Sequence, residues 1–283
     1  MSEMGGGVAV ITGAGSGIGR ALAQAMAAHG MELALADINA ANLEQTRSLI
    51  GNHVVRTYRV DVSDAAAVED FAHRVQQDFG RASILVNNAG VALFGTFQEL
   101  NLAEFDWLFR INFWGVIYGC KFFLPMLLRE RQARIVNISS VFGLFGPPGQ
   151  TAYCSSKFAI RGFSESLREE LRGTGVRVTC VHPAGIATRI AENARPGAAT
   201  RPAEQEEARR LFAKVARITP ETAAQIILNG ILADKGRVLI GGDAHRIDFF
   251  SRLMPSRASA LLTSWMSKRR EGREQAVAAG AQK

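Results

Sequence analysis

Short, continuously apolar runs alternate with longer stretches of helical period along most of this chain. Val8–Ile11, Leu33–Ala36 and Ser83–Val86 are apolar or nearly so throughout, as strands are when both faces of a parallel sheet are covered. Val54–Val60, Arg134–Ser139, Val176–Val181 and Arg237–Ile240 complete a series of seven predicted strands. Between them lie helical stretches. One runs through the Ala-rich Arg20–Ala28 and stops at Gly30, and a second runs from a cap at Ser63 or Asp64 to Phe79. A third runs from Asn101 or Leu102 to about Arg131, and a fourth through Tyr153 and past Leu171 to Gly173. Thr219 and Pro220 supply a cap and first turn for another, reaching about Asp234. Strands and helices taking turns at this spacing predict an α/β fold: a single doubly wound, seven-stranded parallel sheet with helices on both faces. The predicted domain covers residues 1–245. Within it, the polar stretch 189–218, with a helix over 203–215, reads as an excursion over the site. Residues 246–283 form a basic amphipathic C-terminal helical extension, its last ten residues disordered.

Composition narrows the class without naming a chemistry. The 283 residues are 47% hydrophobic and 21% charged, a globular mixture. The net charge of +7 permits nucleic-acid or membrane-surface partners. However, Arg246, Arg252, Arg257, Lys268, Arg269, Arg270 and Arg273 all lie near the C-terminus, so the basicity belongs partly to a tail and argues little for nucleic acid. Cys120, Cys154 and Cys180 have no paired spacing, which suggests neither disulfides nor a metal knuckle and fits a reducing cytoplasm. No signal-peptide pattern and no apolar run of membrane-spanning length is visible.

The chemistry gathers at strand ends. Thr12-Gly-Ala-Gly-Ser-Gly-Ile-Gly19 stands between the first strand and the first helix. Glycines there let the backbone turn tightly and approach a pyrophosphate at the positive helix N-terminus, although such clusters also mark plain turns. Asp37, at the end of the second strand, suits a ribose hydroxyl pair, or equally an N-cap for the next helix. A carboxylate there would repel a 2′-phosphate, and no Arg or Lys stands at residues 14–16 or 38–39. NAD is therefore favoured, with NADP not excluded. Asn87-Asn-Ala-Gly90 can hold a ligand at the strand crevice or simply form a turn. Asn112, in the middle of an apolar helix, needs a partner if buried, for structure or for catalysis. Tyr153 and Lys157 share one helix face, and an ammonium beside the phenol would bring its pKa toward neutrality and make Tyr153 a general acid/base. Such pairs also occur on helices by coincidence.

Taken in order, Thr12–Gly19, Asp61-Val62, Asn87–Gly90, Asn112, Ser140 with Tyr153 and Lys157, and Pro183–Thr188 resemble the short-chain dehydrogenase/reductase family over residues 5–242. The resemblance implies a Rossmann fold and NAD(P)-dependent interconversion of alcohols and carbonyls. By position it implies that Tyr153 is the acid/base and that Lys157 lowers its pKa and holds the nicotinamide ribose. It further implies that Ser140, thirteen residues before the tyrosine, polarises the substrate oxygen in preference to Ser139, and that Asn112 orders a relay water. Gly13, Ser16, Gly17, Ile18 and Gly19 would cradle the cofactor. Asp61 and Val62 would meet the adenine; Asn88, Ala89 and Gly90 would floor the nucleotide; Pro183, Gly185, Ile186 and Thr188 would line the nicotinamide end. Ala184 departs from the usual Pro-Gly, and its methyl would narrow the nicotinamide face or shift the turn. The long helices at 102–131 and 151–172 would pack on a partner's copies in a homodimer or homotetramer.

Beyond the sheet, Ile247, Phe249, Phe250, Leu253, Met254, Leu261, Leu262, Trp265 and Met266 interleave with arginines. This 246–270 segment fits either an arm on a partner or on its own lid, or a peripheral contact with an anionic membrane. Both suit an apolar small-molecule substrate. The alternatives that remain are an NADP-dependent carbonyl reductase and a non-catalytic nucleotide-binding scaffold.

Overall fold

The computed structural model describes residues 6–190, 192–201, 206, 210, 216–257 and 259–264. The helix expected over 203–215 lies largely outside them, as do Trp265 and Met266. All seven predicted strands are present: β1 (Val8–Thr12), β2 (Glu32–Asp37), β3 (Val55–Arg59), β4 (Ile84–Asn87), β6 (Ala133–Ile138), β7 (Val176–Pro183) and β9 (Arg237–Ile240). They form one parallel sheet in the order β3-β2-β1-β4-β6-β7-β9.

The pleat explains why these strands read as unbroken apolar runs. Ile11, Leu35, Val86, Val136 and Val181 face α1 (Gly17–Ala28), α2 (Ala40–Ile50) and α7 (Pro220–Leu232), where Leu22, Met26, Leu43, Ile227 and Ile231 complete one core. Their neighbours Val10, Ala34, Leu85, Ile135 and Val178 face the other way, onto α3 (Ala65–Phe79), α5 (Gly115–Leu127) and α6 (Thr151–Glu170). There Phe71, Phe123, Ile160 and Leu167 fill a second core. The sheet order reverses between β1 and β4, which opens a crevice at their C-terminal ends.

Several elements differ from the expectation. The single helix predicted from 102 to about 131 is α4 (Leu102–Phe109), a π-helical turn over Arg110–Trp114, and then α5, ending at Leu127. A π-turn adds a residue to the repeat and leaves no mark in hydrophobic periodicity. The helices predicted to reach Gly173 and Asp234 end at Glu170 and Leu232. Asp37 does not cap α2: that cap is Asn39, whose side chain accepts from Asn42 N–H at 3.0 Å. A second, two-stranded sheet, β5 (Leu93–Phe94) with β8 (Arg195–Pro196), joins the excursion to the loop after β4. The excursion is tied at its base as well, where Ala187 N–H donates to Ile218 O at 2.8 Å and Arg217 N–H to Gly185 O at 3.1 Å.

After β9, α8 (Gly242–Leu253) continues the chain. Its Ala244 and Ile247, with Leu262, are buried against Val141, Leu144 and Phe145, while Phe249 and Leu253 stay exposed. No helix among the described residues is long and apolar enough to cross a membrane.

Candidate active site

The glycine loop after β1 is held by close backbone approach. Gly13 (φ 64°) and Gly17 (φ 51°) occupy left-handed conformations that favour glycine. A Cβ on Gly13 would lie 2.8 Å from Ala89 Cα, and one on Gly19 only 2.2 Å from Gly13 O. Asn88 braces the same loop from β4, its Nδ2 donating to Thr12 O at 3.0 Å and Gly13 O at 3.1 Å. Thr12 Oγ1 accepts in return from Asn88 and Ala89 N–H groups at 3.1 and 3.2 Å. Through these contacts Asn88 clasps the loop and sets Ala89 and Gly90 beside the crevice.

At the mouth of α1, Ser16 is in extended conformation and its side chain makes no cap bond. No acidic residue stands in the helix's first turn, so its N-terminal amides keep their positive end toward the crevice. Ile18 packs partly into the core, and Thr188 lies against Gly17, where an added Cβ would meet its Cγ2 at 3.0 Å. Asp37 reaches across from β2, accepting from Gly15 N–H with one oxygen and from Asn39 N–H with the other, both at 2.9 Å. Arg20, which carries no spacing signal in the sequence, donates to Gly15 O and Gln45 and, at 3.0 Å, to Thr46 Oγ1. Glycines that admit no Cβ, a helix N-terminus without a side-chain cap and a carboxylate at the neighbouring strand end fit a dinucleotide: pyrophosphate at the amides, ribose toward Asp37.

Asp61 and Val62 also have partners within the protein. Asp61 closes a turn before α3, accepting from Ser63 N–H at 2.9 Å and Ser63 Oγ at 2.7 Å. Val62 packs against Gly115, where a Cβ would come within 3.0 Å of it. Pro183 ends β7 beside Ile240, Gly185 O ties the excursion's base, and Ile186 is buried and bridges to Ile218. The Ala184 methyl packs with Phe142 and Leu239 against the Val141–Phe145 cluster.

The π-turn carries Asn112 into the crevice with no exposed surface. Its Oδ1 accepts from Val91 N–H at 2.8 Å, and its Nδ2 donates to Val91 O at 3.0 Å and to Ser156 Oγ at 3.3 Å. Both groups of the amide thus have partners within the protein. Gly90 lies between the two parts of the site: a Cβ there would sit 3.2 Å from Asn112 Oδ1 and 3.6 Å from Lys157 Nζ.

Ser139, Ser140, Tyr153 and Lys157 meet where β6 ends against α6. Ser139 Oγ donates to Lys157 O at 2.8 Å, and Lys157 Nζ donates to Ile138 O at 3.0 Å. Ser140 caps a 3-10 turn over Val141–Gly143, its Oγ accepting from Phe142 N–H at 3.1 Å, and its hydroxyl faces the Tyr153 phenol. The two serines therefore divide their work, Ser139 holding backbone and Ser140 facing the tyrosine.

Burial dominates the electrostatics of this corner. Burial pushes the Tyr153 phenol up to about 12, against a lowering contribution from Ser140. Burial likewise pulls the Lys157 ammonium down to about 8. Lys157 Nζ is 5.7 Å from the Tyr153 ring centroid and is bonded to a carbonyl, so desolvation outweighs direct pairing. Around the phenol the walls are apolar: Phe142 stands edge-on at 6.2 Å, and Leu93, Leu108, Phe105 and Trp107 share its cluster. Arg195 lies over Trp107 at 3.9 Å.

Comparison with known proteins places this geometry. The family model for short chain dehydrogenases matches residues 7–199. SadH of Mycobacterium tuberculosis is 40% identical over 273 residues, covering 95% of this chain and 98% of its own. A short-chain dehydrogenase/reductase from Burkholderia phymatum, solved in complex with NAD, superposes with a TM-score of 0.82 at 33% identity, over 89% of this chain and 95% of that one. An alcohol dehydrogenase from Thermococcus sibiricus, complexed with 5-hydroxy-NADP, gives 0.69 at 29% identity, over 83% of this chain and 94% of that one. By the family model, the relatives and the solved structures alike, the chain belongs to the short-chain dehydrogenase/reductase family of nicotinamide-dependent oxidoreductases.

Proposed function

We propose that the chain is an NAD-dependent dehydrogenase interconverting an apolar secondary alcohol and its ketone, or an alcohol and its aldehyde. The convergence of buried Ser140 and Lys157 with half-buried Tyr153 at one corner, facing the crevice of the glycine loop, carries this reading. Nicotinamide, when bound, supplies the hydride acceptor or donor at the substrate carbon. Tyr153 exchanges the proton of the substrate hydroxyl, and Ser140 polarises the same oxygen. Lys157, protonated below about 8, places a positive charge at the strand end and is available to the nicotinamide ribose. Asn112, bonded to the Val91 backbone, orders the water of the proton relay.

The cofactor surface is assigned to Gly13, Ser16, Gly17, Ile18, Gly19, Asp37, Asp61, Val62, Asn88, Ala89, Gly90, Tyr153, Lys157, Pro183, Gly185, Ile186 and Thr188. Asp37 at the end of β2 supports NAD over NADP, because its carboxylate would repel a 2′-phosphate. The apolar wall of Phe142, Leu93 and Trp107 supports an apolar substrate.

Tyr153→Phe tests the reading. Turnover should fall about 10²- to 10⁴-fold, measured as NADH absorbance over secondary alcohols of rising chain length, with NAD affinity unchanged. Retained turnover would sink the assignment.

A further inference from the structure

The last rung between β6 and β7 is made by a side chain. Main-chain pairing of the two strands closes with Ser139 N–H donating to Val181 O at 2.8 Å, after which the chain bends into the 3-10 turn. His182, the next residue of β7, has no exposed surface, and its Nδ1 lies 2.9 Å from the Ser140 carbonyl oxygen. A carbonyl can only accept, so Nδ1 carries the proton. The same oxygen also accepts from Gly143 N–H at 2.9 Å, which closes the 3-10 turn.

The imidazole pays for this arrangement at its other nitrogen: Nε2 is buried with no hydrogen-bond partner among the described residues. Burial pulls the ring down to about 4, so it is neutral at ordinary pH and Nε2 is a bare lone pair. Val178 and Cys180, on the same face of β7, are ordinary core residues. A residue present only to fill that space would strand no polar atom, so the bond to Ser140 is the feature that distinguishes histidine here. Its neighbours in the corner are held from the opposite side: Ile138 O by Lys157 Nζ, and Ser139 Oγ by Lys157 O.

We infer that His182 is a positioning residue for the proton-transfer site: its Nδ1–H fixes the Ser140 carbonyl and thereby keeps the Ser140 hydroxyl turned to Tyr153. The inference rests on the catalytic reading of Ser140 and Tyr153 given above. His182 touches no reacting atom and acts through Ser140 alone.

His182→Leu removes the donor at similar bulk, and His182→Asn keeps an N–H close to the Nδ1 position. With NAD and 2-octanol as probes, the Leu variant should lose kcat about 10- to 100-fold, while its KM for NAD and its NAD affinity by fluorescence stay within about twofold. The Asn variant should recover kcat to within about threefold of the parent; a merely structural role would not separate kcat from NAD binding in this way. In crystal structures, which need no substrate, Ser140 Oγ should be turned from Tyr153 in the Leu variant and restored in the Asn variant. An undisturbed Ser140 in the Leu structure, or an Asn variant as slow as the Leu variant, overturns the inference. Should the Leu variant not fold, the Asn variant decides alone: parental kcat supports the role, and a tenfold loss with intact NAD binding overturns it. Tyr153→Phe separates the two levels. If it is active, the site reading fails; if it is inactive while His182→Leu is fully active, only the positioning role fails.

Discussion

Two corners on the C-terminal edge of the sheet frame the crevice, and they are built by opposite means. The corner after β1 is backbone against backbone, with Gly13 and Gly19 packed on each other and on Ala89 so tightly that a single added carbon overlaps main-chain atoms. The corner after β6 is built from side-chain hydrogen bonds: Ser139 and Lys157 to each other's strand and helix, His182 to Ser140. The first corner is therefore intolerant of volume and the second intolerant of lost donors and charges. A dinucleotide needs a concave backbone surface, whereas proton transfer needs titratable groups in fixed orientation, and each corner has the construction its proposed task requires.

Substitutions can break this contrast, and the largest effect belongs to volume. Gly19→Ala sets a methyl 2.2 Å from Gly13 O. It should cost about 3 kcal/mol by urea denaturation and abolish NAD binding by fluorescence titration. Retained binding would show that the loop can open. A smaller effect is expected of Asn88→Ala, which removes volume but leaves Thr12 O and Gly13 O without their donor. About 1–3 kcal/mol should be lost, with NAD affinity weakened rather than abolished.

The smallest effect sharpens the other corner. Folded Lys157 titrates near 8, against 10.5 for the free side chain. Between those values the unfolded chain binds more protons, so this group's contribution to stability rises with pH. Lys157→Met removes that dependence. The variant should be the more stable protein at pH 7, and the parent should regain about 2 kcal/mol on it by pH 10. Melting temperatures at the two pH values measure this, and a constant difference would mean that the ammonium is not desolvated. Turnover should fall in the variant at both.

The catalytic corner shows how far the sequence could be read. Ser140, Tyr153 and Lys157 were legible because their spacing is local: thirteen residues and one helical turn. The expected effect of Lys157 on the phenol was also inferred from spacing, and burial opposes it. Spacing gives proximity but not burial, and here burial sets both pKa values. His182 and Arg20 escaped notice for a related reason. Their partners Ser140 and Thr46 are 42 and 26 residues away and meet them only through the folded sheet. The π-turn at Asn112 and the short β5–β8 sheet were equally invisible: one changes helical phase by a residue, and the other pairs two-residue strands about a hundred positions apart.

The sequence by itself determined the seven strands, their parallel two-faced burial, the glycine turn and the acidic strand end, because period, composition and short-range spacing are properties of neighbours along the chain. Only the tertiary structure decided how the crevice works. It gave Asn88 and Asn112 their backbone partners, gave Ser139 to the backbone and Ser140 to the tyrosine, and set α8 against the Val141–Phe145 wall. Those outcomes depend on which groups lose their water and which distant donors find them, and both are fixed only when the sheet closes.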